Sequence, residues 1–458
     1  MVSIVVSDSP CGLQPFWLRT ASLFYRSFHV LAALVIAFSL TSLAWAESEQ
    51  ACEPEMARLT SIQGEVEIRP GEAEPWRDAG LGDVLCLGST VRVGGFSRAA
   101  LAFADDSTLR LDQDTTLVIR EREEERRTWL EMLSGAIHFF SHRPRALGVE
   151  TPFVNAAAEG TEFLIRVNQA EAHILMFEGV VLAQNQAGEL RLGPDDAALI
   201  RAGEKPVPEI VARPRDAVAW AVHYPPVLSD LADGGEPGAY PVHLQVAIKR
   251  TRENNYPSAL RTLDLVPQDE RDAPHETLRA GILLNVGRVA EAEAAIERAL
   301  ALEPDEPDAG DVYAQRSILH VVRNDRAQAS RDADRAVQLS PDSSAALIAQ
   351  SYARQANFDL EGARESLRAA VDKNPNDALA HARLAEIELS FGDIDRANEA
   401  ADRAVRLAPD LARTQTVQGF ARLAEIDTSA AREAFANAIA LYSADPLPHL
   451  GQGLAKIR

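Results

Sequence analysis

Positive charge is scarce in this sequence. Its 458 residues include 46 lysines and arginines against 68 aspartates and glutamates, which gives a formal net charge of −22. A surface of that sign repels the phosphates of nucleic acids and of anionic lipids, so we expect neither as a partner. A hydrophobic content of 46% is normal for a folded protein, and the length predicts two or more domains.

Familiar catalytic motifs are missing as well. The sequence has no His-Glu-x-x-His, no P-loop, no Gly-x-Ser-x-Gly and no Cys-x-x-Cys. His138 and His142 lie four residues apart in a β-strand pattern, where ordinary packing accounts for them better than a metal pair does. We therefore predict no catalytic residues, no metal site and no cofactor, and a protein that is not an enzyme.

Long apolar runs are limited to one, from Val30 to Leu40, which is shorter than the ~20 residues that cross a membrane. Arg19 and Arg26 precede this run, and small residues around Ala46 follow it, which is the pattern of an export signal. We predict that residues 1–46 are a signal peptide cleaved after Ala46. The region before the run is unusually long, which leaves an uncleaved membrane anchor as the alternative.

Cysteine is the fourth scarcity, with three residues in the whole chain. Cys11 would leave with the signal peptide, so an even pair, Cys52 and Cys86, would remain in an oxidising compartment. We predict a disulfide between them, which would stabilise the fold by about 2–4 kcal/mol. Two buried free thiols are the alternative.

What the chain does contain is a repeat. Pro341, Pro375 and Pro409 are spaced 34 residues apart, the period of a helix–turn–helix unit. Small residues keep the same register, and they favour close contact between antiparallel helices because bulky side chains would hold the helices apart. They form three columns: Ala292, Ala329, Ala363, Ala397 and Ala431; Ala299, Ala336, Ala370, Ala404 and Ala438; and Ala280, Ser317, Ser351, Ala385 and Gly419.

These columns resemble the tetratricopeptide-repeat (TPR) family over about five units. Ala397, Ala404 and Pro409 stand where that family has its two alanines and its proline. The resemblance implies an all-α solenoid over residues 242–458 with irregular first and last units, since one unit cannot bury its apolar face alone. Polar residues stand where the family usually has tryptophan, and we expect weaker packing there: Glu276, His381 and Gln415.

In TPR arrays the concave face, lined mainly by the first helix of each pair, holds an extended peptide or a partner helix. The register of this chain places four residues in one row along that face: Ile318, Tyr352, Glu386 and Phe420. Aromatic and aliphatic side chains in such a row suit a binding hot spot. Packing between repeats accounts for the row equally well, and the sequence leaves both interpretations open.

Residues 47–205 have a different texture. Short apolar alternations such as Thr90-Val91-Arg92-Val93 recur between turn residues, which predicts an all-β domain. Seven prolines follow within residues 206–241 and predict an extended linker between the two domains.

Several motifs of the β region occur together: Ser97-Arg98-Ala99, Thr151-Pro152, Glu159-Gly160-Thr161-Glu162-Phe163 and Glu178-Gly179. They are similar to the FecR-type domain, the envelope-facing part of iron-dicitrate signal regulators, which recurs in exported proteins of Gram-negative bacteria. The resemblance implies a periplasmic location, or an inner-membrane anchor with the chain facing the periplasm.

The expected protein is therefore multi-domain, with an all-β FecR-like domain followed by an all-α TPR solenoid. Our leading hypothesis is a non-enzymatic scaffold of the cell envelope that binds a protein or peptide in the TPR groove, with an envelope component on the β domain. The second hypothesis is an envelope sensor of the iron-dicitrate regulator type. The third, which we favour least, is the interaction part of an enzyme that continues beyond Arg458.

Overall fold

A computed structural model describes residues 55–104, 107–122, 127–211 and 241–457. The predicted signal peptide, Cys52 and most of the predicted linker lie outside these ranges. The chain from Cys52 onward is one compact unit. Within the described ranges, every helix is too short or too polar to cross a membrane.

Fourteen strands in the described residues form one antiparallel sheet. The strands are β1 (Ala57–Gln63), β2 (Val66–Arg69), β3 (Arg77–Asp78), β4 (Val84–Leu85), β5 (Thr90–Val93), β6 (Arg98–Phe103), β7 (Thr108–Leu111), β8 (Thr116–Arg122), β9 (Arg127–Glu150), β10 (Asn155–Val167), β11 (Glu171–Asn185), β12 (Gly188–Leu192), β13 (Ala197–Arg201) and β14 (Val207–Glu209).

Three long strands, β9, β10 and β11, pair in sequence order and form the centre of the sheet. The path continues from β9 through β7, β6 and β1 to β4 on one side, and from β11 through β13 to β14 on the other. Apolar residues alternate along the strands as their period of two requires. In β6, for example, Ala99, Leu101 and Phe103 are buried. Phe139 and Phe163 stack at the centre of this core, with ring centroids 5.1 Å apart.

The position of β14 shows that the β domain ends later than we expected. β14 pairs with β13 and contains Pro208, so the sheet extends past residue 205, where we expected the β domain to end. Proline is tolerated here because β14 is an edge strand, whose outward side needs no backbone N–H.

Thirteen α-helices follow in the described residues. They are α1 (Val242–Arg252), α2 (Tyr256–Asp264), α3 (Ala273–Asn285), α4 (Val289–Ala301), α5 (Glu306–Val322), α6 (Arg326–Leu339), α7 (Ser344–Ala356), α8 (Leu360–Lys373), α9 (Ala378–Phe391), α10 (Ile394–Leu407), α11 (Ala412–Ala424), α12 (Thr428–Leu441) and α13 (Pro446–Ile457). Successive helices pair, so a β domain followed by a helical-repeat array is confirmed as the fold class.

The columns of small residues lie where the helices touch. All ten alanines of the two columns on the second helices are fully buried.

The polar residues at the usual tryptophan positions form hydrogen bonds or ion pairs. His381 bonds through Nε2 to the carbonyl of Pro375 at 3.0 Å, and the Gln415 amide donates to that of Pro409 at 2.8 Å. Glu276 is buried and paired with Arg298.

From the third pair of helices onward, an aspartate is the N-cap of the second helix in each pair. Its carboxylate accepts a hydrogen bond from a backbone N–H in the first turn of that helix. These caps are Asp325, Asp359, Asp393 and Asp427. Arg288 holds the same position before α4 and provides no such cap. Instead, its guanidinium lies 3.4 Å from Asp112 of the β domain. The exception in the repeat therefore serves a contact between the two domains.

Cys86 is disulfide-bonded. Because Cys52 lies outside the described residues, its pairing with Cys86 stays a prediction.

His275 provides a test of this packing by pH. It is fully buried on α3 beside His243, and burial, together with the charge of Arg271, lowers its pKa to about 4 although Glu276 acts the other way. The unfolded chain therefore takes up this proton between about pH 6.5 and pH 4, where the folded chain does not. Stability should fall by up to about 3 kcal/mol as the pH drops through that window.

Urea denaturation of the wild type and of His275→Gln at pH 7 and pH 4.5 measures this effect. The variant should lose less stability than the wild type on acidification. The same loss in both proteins would contradict the assignment, and His173→Gln, which changes a partly exposed histidine, is the control.

Candidate functional site: the inner face of the helical array

The structure places the four predicted groove residues on the first helices of successive pairs, α5, α7, α9 and α11. The two outer members pack inside the array. Ile318 is buried in the helical core. Phe420 lies edge-on to Phe435, with centroids 5.0 Å apart. The two central members, Tyr352 and Glu386, belong to a polar cluster.

We call this polar cluster the inner cluster; it consists of Tyr352, Arg383, Glu386 and Arg413. The Arg383 guanidinium lies over the Tyr352 ring, 3.9 Å from its centroid. Arg383 also donates to Glu386 Oε2 at 2.8 Å, and Arg413 contacts the other carboxylate oxygen. Three helices, α7, α9 and α11, therefore meet through one carboxylate and two guanidinium groups.

Burial and neighbouring charges have opposing effects on the pKa of Arg413 in the inner cluster. Burial alone would lower the pKa of Arg413, but Glu386, Tyr352 and Asp445 together raise it above its ordinary value. Asp445, which is buried in the turn before α13, adds a second negative charge that acts on the cluster from outside it. Burial raises the pKa of the Tyr352 phenol, which keeps its proton at neutral pH. At neutral pH the inner cluster therefore contains a neutral phenol beside paired ions.

Sequence reasoning found two members of this cluster and missed the two arginines. Arg383 lies three residues before Glu386, a spacing that favours ion pairs within a helix and could have revealed it. Arg413 approaches Glu386 from the next pair of helices, and only the stacking of the pairs shows that contact.

The β domain contacts the first pair of helices of the array. In the β1–β2 turn, Glu65 forms a two-pronged ion pair with Arg261 of α2, with N···O distances of 2.6 and 3.2 Å. Gly64 in the same turn has φ +79°, and a Cβ there would lie 2.5 Å from Pro257 Cγ. Glycine is therefore required both by its backbone conformation and by the closeness of α2.

Strand β1, which leads into this turn, contacts the other end of the array. The Ser443 hydroxyl accepts from the Ile62 N–H at 3.1 Å and donates to the Ile62 carbonyl at 3.0 Å. The two ends of the array touch as well. The Tyr256 and Tyr442 rings meet edge-on at 5.6 Å, and Asn254 donates to the Leu441 carbonyl at 3.1 Å. The array therefore curves until its first and sixth pairs meet.

Arg98, from the Ser97-Arg98-Ala99 motif, occupies this junction. It donates to the Asn285 carbonyl at 3.2 Å and contacts Gln63 of β1. Its charge opposes the effect of burial, which raises the pKa of Tyr442. We call the contacts of Ile62, Gly64, Glu65 and Arg98 with the helices the domain seam.

His138, which the sequence offered as one member of a metal pair, is buried, and its Nε2 lies 3.1 Å from Glu162 Oε1.

These features define the class of protein, a β domain joined to an array of paired helices. Within the β domain, residues 89–182 match the model of the family described as FecR protein, which confirms the resemblance to the FecR-type domain. No curated protein matches the chain. A FecR-type domain and TPR-like helices are typical of envelope signalling or of protein interaction, and neither family is catalytic.

Three solved structures similar to the chain each cover less than half of it. A protein described as an anti-sigma factor, from Parabacteroides distasonis, is 15% identical with a TM-score of 0.26, over 30% of this chain and 69% of that one. A tetratricopeptide repeat protein from Parabacteroides merdae is 14% identical with a TM-score of 0.38, over 49% and 87%. A thermophilic TPR protein from Thermus thermophilus is 18% identical with a TM-score of 0.36, over 41% and 100%.

Proposed function

We propose that this protein is a non-enzymatic scaffold of the bacterial cell envelope that binds a partner protein or peptide at the inner face of its helical array. The observation that carries the proposal is the inner cluster. It brings a neutral tyrosine and two arginines from three repeats to one place, and tyrosine and arginine are among the residues most enriched in binding hot spots.

The domain seam supports the scaffold role. The β domain contacts α2 through Arg261 and the turn before α13 through Ser443. It can therefore hold the curvature of the array, and with it the spacing of the recognition residues. A partner that binds the inner face would meet a preformed surface, which lowers the entropic cost of binding.

The test is a pair of position-specific photo-crosslinkers in the full chain. Ser390, exposed one turn after Glu386 on α9, carries one probe, and Arg331, exposed on α6, carries the control. We expect the Ser390 probe to capture a defined envelope protein that the Arg331 probe does not. Tyr352→Ala should weaken binding of that protein by about tenfold or more, the effect of removing a hot-spot side chain.

Thermal denaturation provides the control for Tyr352→Ala. Capture that is equal at both probe positions, or unchanged binding by Tyr352→Ala despite a lowered melting temperature, would show that Tyr352 only packs the array. Phe420→Ala, at the packed end of the predicted row, should affect melting more than binding because its ring rests on Phe435.

The FecR family match favours a second candidate, an envelope sensor anchored in the inner membrane. Mass spectrometry of the mature protein separates the two. A chain that begins at Glu47 supports the exported scaffold and cleavage after Ala46, whereas an intact N-terminus supports the anchored sensor. The same experiment without reduction tests the proposed Cys52–Cys86 disulfide, which would lower the mass by two hydrogens.

A further inference from the structure

A groove that is separate from the inner cluster lies on another face of α9. This groove of about 550 Å³ is lined by residues of α8, α9 and α10, within the size range of ligand pockets. On α9 the groove residues are His381, Leu384 and Glu388, whereas the inner cluster uses Arg383 and Glu386. With 3.6 residues per turn, these two sets point to nearly opposite faces of the helix. We call this surface the outer groove.

The outer groove is cationic in an acidic chain. Four arginines and two glutamates line it, in a protein whose net charge is −22. They are Arg368, Glu388, Arg396, Glu399, Arg403 and Arg406. His381 adds no charge at neutral pH, because burial and the neighbouring Arg403 and Arg406 lower its pKa, although its bond to the Pro375 carbonyl opposes this.

Two of the four arginines, Arg403 and Arg406, have no ion-pair partner among the described residues and remain available for a ligand. Arg368 is matched by the buried Glu388, 3.0 Å away. On the opposite wall, the bonds of Arg403 within the described part of the chain go only to neutral oxygens of Pro375 and Asn376. Arg406 is exposed and has no ion-pair partner among the described residues. Arg396 contacts the Asp393 carboxylate at the start of α10, at 3.4 Å.

The spacing of the arginines on α10 indicates the length of the ligand. Arg396, Arg403 and Arg406 lie along one face, and ten residues of helix span about 15 Å. A single small anion cannot contact both ends of such a row. An extended chain advances about 3.3 Å per residue, so a segment of about five residues matches the row. Leu384 and Ala400 line the groove beside it and suit aliphatic side-chain stems.

We propose that the outer groove binds an acidic peptide segment of a partner protein, whose aspartate and glutamate carboxylates pair with the arginines of α10. Arginine suits this role because its planar guanidinium binds a carboxylate through two parallel hydrogen bonds. The outer groove would give the array a second contact point, independent of the inner cluster.

The test measures the affinity of the full chain for fluorescein-labelled hexaglutamate by fluorescence anisotropy at low ionic strength. The wild type should bind hexaglutamate and not hexaglutamine, with affinity that falls as salt is added. The double variant Arg396→Glu with Arg403→Glu should bind at least about tenfold more weakly, because two ion pairs with the peptide are lost and the reversed charges repel it.

The matched control is Arg335→Glu, because Arg335 holds the register position of Arg403 two units earlier and lies outside the groove. It should change the affinity by less than about twofold. If the double glutamate variant does not fold, Arg396→Gln with Arg403→Gln provides the same test by charge removal.

Three results would overturn the proposal. The first is no binding of hexaglutamate by the wild type. The second is an equal loss of affinity in the control and the groove variants, which would indicate non-specific attraction. The third is displacement of the peptide by glutarate or phosphate at matched carboxylate or phosphate concentration, which would identify a site for a single small anion.

Discussion

Replacing Phe435 by alanine should lower the free energy of unfolding by about 3–5 kcal/mol, the cost of emptying a buried phenylalanine site. Phe435 is fully buried on α12, with Phe420 edge-on to it. Two glycines make room for the ring. A Cβ on Gly419 would lie 2.5 Å from Phe435 Cε1, and one on Gly451 of α13 would also collide with the ring. The ring therefore joins α11, α12 and α13.

Chemical denaturation and hydrogen exchange together check this prediction. Amides of α11 to α13 should lose protection first in Phe435→Ala, because the cavity lies between those helices. Gly451→Ala should also destabilise the array, since its methyl group would enter the space of the ring. A loss below about 1 kcal/mol, or a loss of protection spread evenly over the sheet, would contradict the role of Phe435.

Replacing Arg98 by alanine should weaken the domain seam by about 2–4 kcal/mol. Arg98 makes charge-assisted contacts with Gln63 and with the Asn285 carbonyl, and both partners are buried. Removing its side chain leaves polar groups without a donor in a place that water reaches poorly, and this adds to the cost of the lost bonds. The β domain and the array should then unfold at separate temperatures.

Differential scanning calorimetry measures this separation. The control is Arg92→Ala, because Arg92 is an exposed arginine of β5 that pairs with Glu67 on the sheet surface. An exposed ion pair contributes about 1 kcal/mol or less, so this variant should retain the unfolding profile of the wild type. Identical profiles for Arg98→Ala and Arg92→Ala would show that the seam does not couple the domains.

The resemblance to the FecR-type domain, the fold class and the period of the array could all be predicted from the sequence, because each is encoded locally. Two helices can touch only where side chains are small, so alanine recurs at the spacing of the contacts and the repeat is visible without coordinates. Strand alternation is equally local. The end of the sheet at β14 was not predicted, since the prolines that suggested a linker are also tolerated on an edge strand.

The candidate site was only half predictable. Tyr352 and Glu386 share a register position, and the repeat alone revealed them. Arg413 joins them from another pair of helices through a contact that no spacing rule identifies. Glu386 therefore looked like an exception in an otherwise apolar row, and the structure explains it as the carboxylate that pairs two arginines.

By itself, the sequence determined the two kinds of domain, their order and the positions where helices press together, because these depend on neighbours within one or two repeats. Only the tertiary structure decided how the domains meet. The bonds between Arg98 and Asn285 and between Ile62 and Ser443 join residues 187 and 381 positions apart. Such pairs leave no periodic trace, since each occurs once and depends on the accumulated curvature of all the repeats between them.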